Sequence, residues 1–357
     1  MKNWIRPEIQ ALSAYHVPDS SGYIKLDAME NPYRWSDDLT SRWLELLKQS
    51  ELNRYPDPSA QLLKSKIYSS LNIPGSADLI LGNGSDELIQ MIMMAVSGSD
   101  RTVMSVEPSF VMYKMIATFL DMPYVGVSLT DDFSLDADTT LTAIEQHQPA
   151  VIFLAYPNNP TGNLFDETVI DKIISSTDAL VVIDEAYYAF ADKTYADKLE
   201  QHENLLVMRT VSKMGLAGLR LGYMAGSAKL INEIDKVRLP YNINVLTQLS
   251  AEFALDNVDV LNQQTEQIKK DRESLVTSME ALEGIDVYPT QANFVLFRCK
   301  SKSADEVFDS LKQQKVLIKN LSKSSASLNN CLRVTVGLPS ENEAFLLALT
   351  TALTNEA

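Results

Sequence analysis

Seven short apolar runs between residues 78 and 227 constrain this chain more than any other feature. They read "DLILGNG" (78–84), "RTVMSV" (101–106), "PYVGVSL" (123–129), "AVIFLAYP" (150–157), "ALVVIDEAY" (179–187), "LLVMRTVS" (205–212) and "RLGYMAGS" (220–227). Most are apolar on successive residues instead of alternating. A strand of that kind needs cover on both faces. Helical patterns such as "SDELIQMIMMAV" and "DETVIDKIISST" fall between several of the runs. The alternation predicts an α/β fold: a mostly parallel seven-stranded sheet with helices on both faces.

The pattern changes after Asn244. Residues 245–282 read as one long helical stretch rich in charge. Then come "IDVYPTQANFVLFRC", the helix "ADEVFDSLKQQ", and the strands "VLIKNL" and "CLRVTVG". That is the pattern of a smaller α+β domain. The expected division is an N-terminal segment (1–40) joining the small domain, a large domain (41–245) and a small C-terminal domain (246–357). A chain of 357 residues, 45% apolar, is long enough for this.

Charge narrows the partners. The formal net charge of −16 repels nucleic acid and anionic membrane at long range. A phosphorylated ligand would then need local cations. No apolar run reaches membrane-spanning length, and the N-terminus lacks a signal-type apolar core. Two cysteines, Cys299 and Cys331, lack metal-type spacing, and His16, His147 and His202 are scattered. The expectation is a cytoplasmic protein without a metal site.

In a doubly wound sheet, ligands bind at the carboxyl ends of the strands. "LILGNGSDELIQ" turns through Gly82 and Gly84 into a helix that starts at Ser85 and Asp86. Such a turn is either a routine capped βα connection or an anion site made of backbone N–H groups. "AYPNNPTGNLF" brackets Asn159 between prolines, a rigid turn whose amide could also face a ligand. "VVIDEAYYAF" sets Asp184 and Glu185 at the end of an apolar strand, with Tyr187 close behind. A buried carboxylate is costly unless a cation meets it, either a neighbouring Lys or Arg or a protonated ligand nitrogen. "TVSKMGLAGLR" puts Ser212, Lys213 and Arg220 on a loop after another strand. Lys213 is either a solvated loop lysine or an amine that attacks a carbonyl, which requires a lowered pKa.

These motifs, in this order, resemble the fold-type-I aminotransferases that use pyridoxal 5′-phosphate. "MENPYRW" (29–35), "NRYPDP" (53–58), "ANFVLFR" (292–298) and "CLRVTVG" (331–337) narrow the resemblance to the histidinol-phosphate aminotransferase family. It covers nearly the whole chain. The resemblance implies that Lys213 holds the cofactor covalently and moves the proton, and that Asp184 meets the ring nitrogen. Tyr187 and Asn159 match donors to the ring hydroxyl. Gly84, Ser85, Asp86, Ser212 and Arg220 match the phosphate cup, and Phe110 matches the ring-stacking aromatic. Tyr55 matches a residue that reaches the neighbouring subunit's cofactor, which implies a homodimer. Arg333 matches the arginine that grips the substrate's anionic group, with Asn31 and Tyr33 of "MENPYRW" also on the substrate side.

Two departures stand out. The loop from Lys213 to Arg220 is one residue shorter than in many members. Lys319 stands where a second substrate arginine often precedes the last strand, giving a point charge in place of a fork. The implied reaction moves an amino group between histidinol phosphate and 2-oxoglutarate, giving imidazole acetol phosphate and glutamate, in histidine biosynthesis. An aminotransferase for aromatic or other amino acids and a decarboxylase of the threonine-phosphate type would share the cofactor residues. A regulator built on the same fold would carry a DNA-binding domain before "DAMENPY", where none is expected.

Overall fold

The computed structural model describes residues 4–14, 17–98 and 100–354. His16 lies outside them. The N-terminal part carries α1 (Pro7–Gln10), β1 (Ile24–Lys25), α2 (Asp37–Leu47) and α3 (Gln61–Ser70). A central sheet follows, built from β2 (Asp78–Gly82), β3 (Val103–Glu107), β4 (Tyr124–Ser128), β5 (Val151–Ala155), β6 (Leu180–Asp184), β7 (Leu205–Thr210) and β8 (Gly222–Gly226). Its strand order is β2-β8-β7-β6-β5-β3-β4, with β8 antiparallel to β7 and β2, and the other pairs parallel.

Both faces of this sheet are covered, which explains the unbroken apolar runs. Along β6, Val181 and Ile183 pack with Ile170, Ile173 and Ile174 of α7 (Glu167–Ser175). Val182, between them, packs on the other face with Leu88 and Ile92 of α4 (Ser85–Val96), Tyr113 and Ile116 of α5 (Met112–Phe119), and Ile231 and Ile234 of α8 (Ala228–Asp235). Successive side chains of a strand point to opposite faces, so each residue of β6 needs its own cover. On the outer part of the sheet α6 (Ala137–His147) adds Ile144 to the α7 face.

The stretch read as one long helix is two: α9 (Val245–Asp256) and α10 (Val258–Glu280). The break is Asn257, whose backbone leaves helical geometry at φ −119° and ψ 31°. Its side-chain amide turns back to the Phe253 carbonyl at 2.8 Å. Asparagine competes with the helix in this way. "VLIKNL" also divides, into β11 (Val316–Leu317) and β12 (Lys319–Asn320). β11 pairs in parallel with β1, which ties the N-terminal segment to the C-terminal part. β12 joins β13 (Cys331–Thr335), β10 (Phe294–Cys299) and β9 (Ile285–Val287) in an antiparallel sheet. The helices α11 (Ala304–Gln313) and α12 (Pro339–Thr354) contribute Val307, Leu311, Phe345 and Leu349 to a core with Phe294, Phe297 and Val334 of this sheet.

Among the described residues, no helix is long and apolar enough to cross a membrane, and no group of His, Cys, Asp and Glu could hold a metal ion.

Candidate active site

The strands of the central sheet stop just before the residues that matter. β6 ends at Asp184, β7 at Thr210 and β5 at Ala155, and β2 turns into α4. One cavity opens there, lined by Ser85, Asp86, Phe110, Asn159, Asp184, Tyr187, Ser212, Lys213 and Arg220 together with Met29, Ala155, Pro157, Ala186 and Thr210. Motifs far apart in the chain, from Met29 to Arg220, thus meet at the carboxyl ends of the strands, where the sheet topology puts a ligand.

Alternation along β6 separates the two adjacent carboxylates. Glu185 turns away from the cavity and meets Arg209 at 2.8 Å, fully buried, with Thr194 and the Tyr195 N–H as further donors. Asp184 has no such cation among the described residues. Its Oδ2 accepts from the Tyr113 hydroxyl at 2.6 Å and its Oδ1 from the Ala186 N–H at 3.1 Å. Burial pushes its carboxyl up to about 6, and the Tyr113 and Ala186 hydrogen bonds hold it back from rising further. Among the described residues no cation pairs with it, which leaves room for one on a ligand.

Lys213 lies on a single 3-10 turn, Ser212–Met214, that Gly215 ends in the left-handed region at φ 113°. A Cβ on Gly215 would sit 2.9 Å from the Asn31 amide nitrogen, so glycine also lets the N-terminal segment lie against this turn. The Lys213 Nζ is 3.4 Å from the Ala28 carbonyl and 5.6 Å from the centre of the Tyr187 ring. Its pKa falls to about 8, first through burial and then through the charge of Arg333. A lysine so shifted is neutral often enough to act as a nucleophile or base.

Opposite the carboxylate is an anion cradle. α4 starts at Ser85 after Gly84, which has φ 85°. A Cβ on Gly84 would lie 2.6 Å from an Arg220 nitrogen, so only glycine allows the guanidinium to approach the helix start. The Arg220 guanidinium thus lies against the start of α4, where the first-turn N–H groups have no partner within the helix. The short loop does not prevent this: Arg220 takes a left-handed conformation at φ 50° and reaches Asp86 at 3.3 Å. Ser212 and Thr210, joined at 2.9 Å, add hydroxyls.

Arg333, on β13, donates to the Asn159 side-chain oxygen at 2.5 Å and to the Asp27 carbonyl at 3.2 Å, and its guanidinium lies 5.1 Å from the centre of the Phe294 ring. It thus holds Asn159, a residue of the cavity wall, from the C-terminal sheet, without itself being among the lining residues. Lys319 sits directly across the β12–β13 pair from Arg333 and is half-buried, but it does not line the cavity.

Three expected residues are elsewhere. Asn31 bonds the Met214 carbonyl at 3.2 Å and Gln264 at 3.0 Å, and its oxygen accepts from the Tyr33 N–H, so its amide is committed to packing. The Tyr33 hydroxyl donates to Asp271 of α10 at 2.7 Å. Neither reaches the cavity as a substrate contact. Tyr55 is 80% exposed and stacks on Tyr241 with ring centres 4.4 Å apart, outside its own chain's cavity. Sequence reasoning missed Thr210 and Tyr113. The only signal for Tyr113 is its place three residues after Phe110, and the rings meet edge to face at 5.6 Å.

Comparison with known proteins identifies the family. The profile of the family described as aminotransferase class I and II matches residues 21–349. The histidinol-phosphate aminotransferase 2 of Nitrosococcus oceani is 54% identical over 346 residues, 97% of this chain and 96% of that protein. The protein of the same name from Cupriavidus pinatubonensis is 48% identical over 354 residues, 98% of this chain and 96% of that one. Among solved structures, the histidinol-phosphate aminotransferase of Sinorhizobium meliloti, in complex with pyridoxal-5′-phosphate, has a TM-score of 0.86 at 22% identity, covering 99% of this chain and 98% of that one. The L-threonine-O-3-phosphate decarboxylase of Porphyromonas gingivalis shares the fold at a TM-score of 0.76 and 23% identity, over 93% of this chain and 99% of that one. Fold alone therefore does not separate the two reactions, but the close relatives do. This chain belongs to the class I and II aminotransferases and, within them, to the histidinol-phosphate aminotransferases.

Proposed function

We propose that this chain transfers the amino group between histidinol phosphate and 2-oxoglutarate, giving imidazole acetol phosphate and glutamate, as a step in histidine biosynthesis. The observation that carries the reading is a single cavity that faces Lys213 and Asp184 toward an anion cradle, in a chain 54% identical to a histidinol-phosphate aminotransferase. The two free, buried cysteines suit a cytoplasmic enzyme.

The donor set fits pyridoxal 5′-phosphate. An uncompensated carboxylate suits a protonated ring nitrogen, and the cradle of Gly84, Ser85, Ser212 and Arg220 suits a phosphate. Phe110 would stack on the ring, and Asn159 and Tyr187 would face its hydroxyl. When bound, the cofactor supplies a carbonyl for the amine and a ring that accepts the electron pair left by the departing proton. The protein does the rest. Lys213 would hold the cofactor covalently, and once freed its amine would take up and return the proton of the substrate carbon that bears nitrogen. Asp184 would keep the ring nitrogen protonated. Arg333 receives an anion at the far end of the substrate, phosphate in one half-reaction and the γ-carboxylate of glutamate in the other, with Lys319 beside it as a second cation.

Replacing Arg333 with alanine should damage both half-reactions, each by roughly 2–5 kcal/mol of transition-state binding, because a desolvated anion would lose its partner. Lysine at 333 should restore only part of this, since the fork is gone. Following the cofactor's absorbance with each substrate alone separates the halves. If neither half suffers, Arg333 serves contacts within the chain, such as Asn159 and the Asp27 carbonyl, and the substrate reading loses its anchor.

The reading includes a homodimer with shared sites. Pro56 biases Tyr55 toward an extended backbone, and its ring is 80% exposed, which suits reaching a second copy. Tyr55→Ala should therefore lower activity, and so should Lys213→Ala. Mixed dimers of the two variants should regain one intact site, since Lys213 comes from one chain and Tyr55 from the other. Activity that does not rise after confirmed subunit exchange contradicts sharing.

A further inference from the structure

We propose that Tyr113 is a positioning residue for the reaction: its hydroxyl fixes the Asp184 carboxylate in one orientation and stabilises its charge, and its ring ties that carboxylate to the Phe110 wall of the cavity. The proposal rests on Asp184 being the carboxylate that meets the cofactor ring.

The geometry is specific. Tyr113 is fully buried on α5. Its ring stacks on Phe153 of β5, with centres 4.8 Å apart and planes 18° from parallel. A second ring contact is edge-on to Phe110, at 5.6 Å and 86°. Held between those two rings, the hydroxyl has one place to be, 2.6 Å from Asp184 Oδ2. The Ala186 N–H takes the other oxygen. A carboxylate offers about four acceptor positions, so two remain for a ligand on the cavity side. With both oxygens pinned, the carboxylate plane cannot rotate when a ring nitrogen arrives.

The charges around Asp184 make that hydroxyl matter. From α4, Asp86 disfavours its ionisation, and Glu185 next to it does the same. Tyr187 faces it from the turn after β6, and Lys213 and Arg220 line the same cavity from the loop after β7. Tyr124, on β4, borders Tyr113 from behind. Against burial and two carboxylates, the Tyr113 O–H and one backbone N–H are the neutral donors that favour the charged form. A phenol that served only to fill the core would need a partner for its hydroxyl but would not need to set the state of a reacting group.

Two variants test this on the full chain freed of cofactor. The Asp184 carboxyl is titrated by its infrared C=O band, assigned by its loss in Asp184→Asn. Tyr113→Phe keeps both ring contacts and removes one oxygen. It should raise the midpoint by about one to two pH units, the weight of a hydrogen bond to a charged group. A 3-fluorotyrosine placed at 113 donates more strongly and should lower the midpoint. Opposite shifts from two variants that share the same packing are not expected of a core-filling residue. In the holoenzyme, Tyr113→Phe should lower kcat about tenfold or more with KM for histidinol phosphate unchanged, a barrier change of about 1.4 kcal/mol. Midpoints that stay with the wild type in both variants overturn the proposal. Because the titration needs neither cofactor nor substrate, that failure is distinct from failure of the aminotransferase reading. Should Tyr113→Phe not fold, the fluorotyrosine chain alone decides: a lowered midpoint supports the role and an unmoved one ends it.

Discussion

Lys213→Ala should lower turnover by at least about 10⁴-fold, because it removes the group that moves the proton as well as the covalent anchor. The lysine is suited to both tasks by its surroundings. Burial and the charge of Arg333 bring its pKa to about 8, so an appreciable fraction is neutral at physiological pH. Its turn is held by the Asn31 bond to the Met214 carbonyl and by the Gly215 conformation, so the amine is delivered to one place. The same variant should still bind the cofactor, since the cradle of Ser85, Ser212 and Arg220 is intact. Borohydride reduction of the native protein should leave the cofactor on the peptide that contains Lys213. Mass spectrometry that finds it on a different lysine contradicts the assignment.

The second large effect is expected at Asp184. Asp184→Asn should slow proton removal about 10²–10³-fold, the scale of losing one preorganised charge in a water-excluded site. The same substitution should stabilise the cofactor-free protein. The folded carboxyl sits at about 6, above its ordinary value of 3.8. A raised acid binds more protons folded than unfolded, so its contribution is full below the unfolded value and is lost as pH rises through 6. Above pH 6 the charged group therefore costs stability that asparagine does not. The gain should be about 3 kcal/mol at pH 7 and should vanish below about pH 3. Denaturant melts of both proteins across that range check it. A residue that costs stability and carries rate is the signature of a reacting group.

Much of this was legible in the sequence because the physics is local. A strand apolar on every residue must be covered twice, so β5, β6 and β7 announce a buried parallel sheet. Residues at strand ends follow from the same pattern, which is why Asp184, Asn159, Lys213 and the Gly84 turn could be named together. What escaped depends on contacts across the fold. Asn31 and Tyr33 sit in a recognisable motif, yet their side chains are spent on Met214, Gln264 and Asp271, far along the chain. Tyr113 reads as one more apolar position of an amphipathic helix, and only the packing of α5 on β5 turns its hydroxyl toward Asp184. The break at Asn257 hides inside continuous helical periodicity, since one residue out of register leaves the pattern on either side intact. Lys319 and Arg333 become neighbours only through antiparallel pairing.

Substrate choice is measured most directly by a donor panel. The purified protein with pyridoxal 5′-phosphate and 2-oxoglutarate is given histidinol phosphate, phenylalanine or O-phosphothreonine, and glutamate and carbon dioxide are followed together. The expected result is glutamate formed with histidinol phosphate at a kcat/KM at least about 10²-fold above phenylalanine, because phenylalanine leaves the Arg333 charge without a phosphate. No carbon dioxide should be released from O-phosphothreonine. Glutamate formed faster from phenylalanine, or carbon dioxide released from O-phosphothreonine without amino transfer from histidinol phosphate, would contradict it.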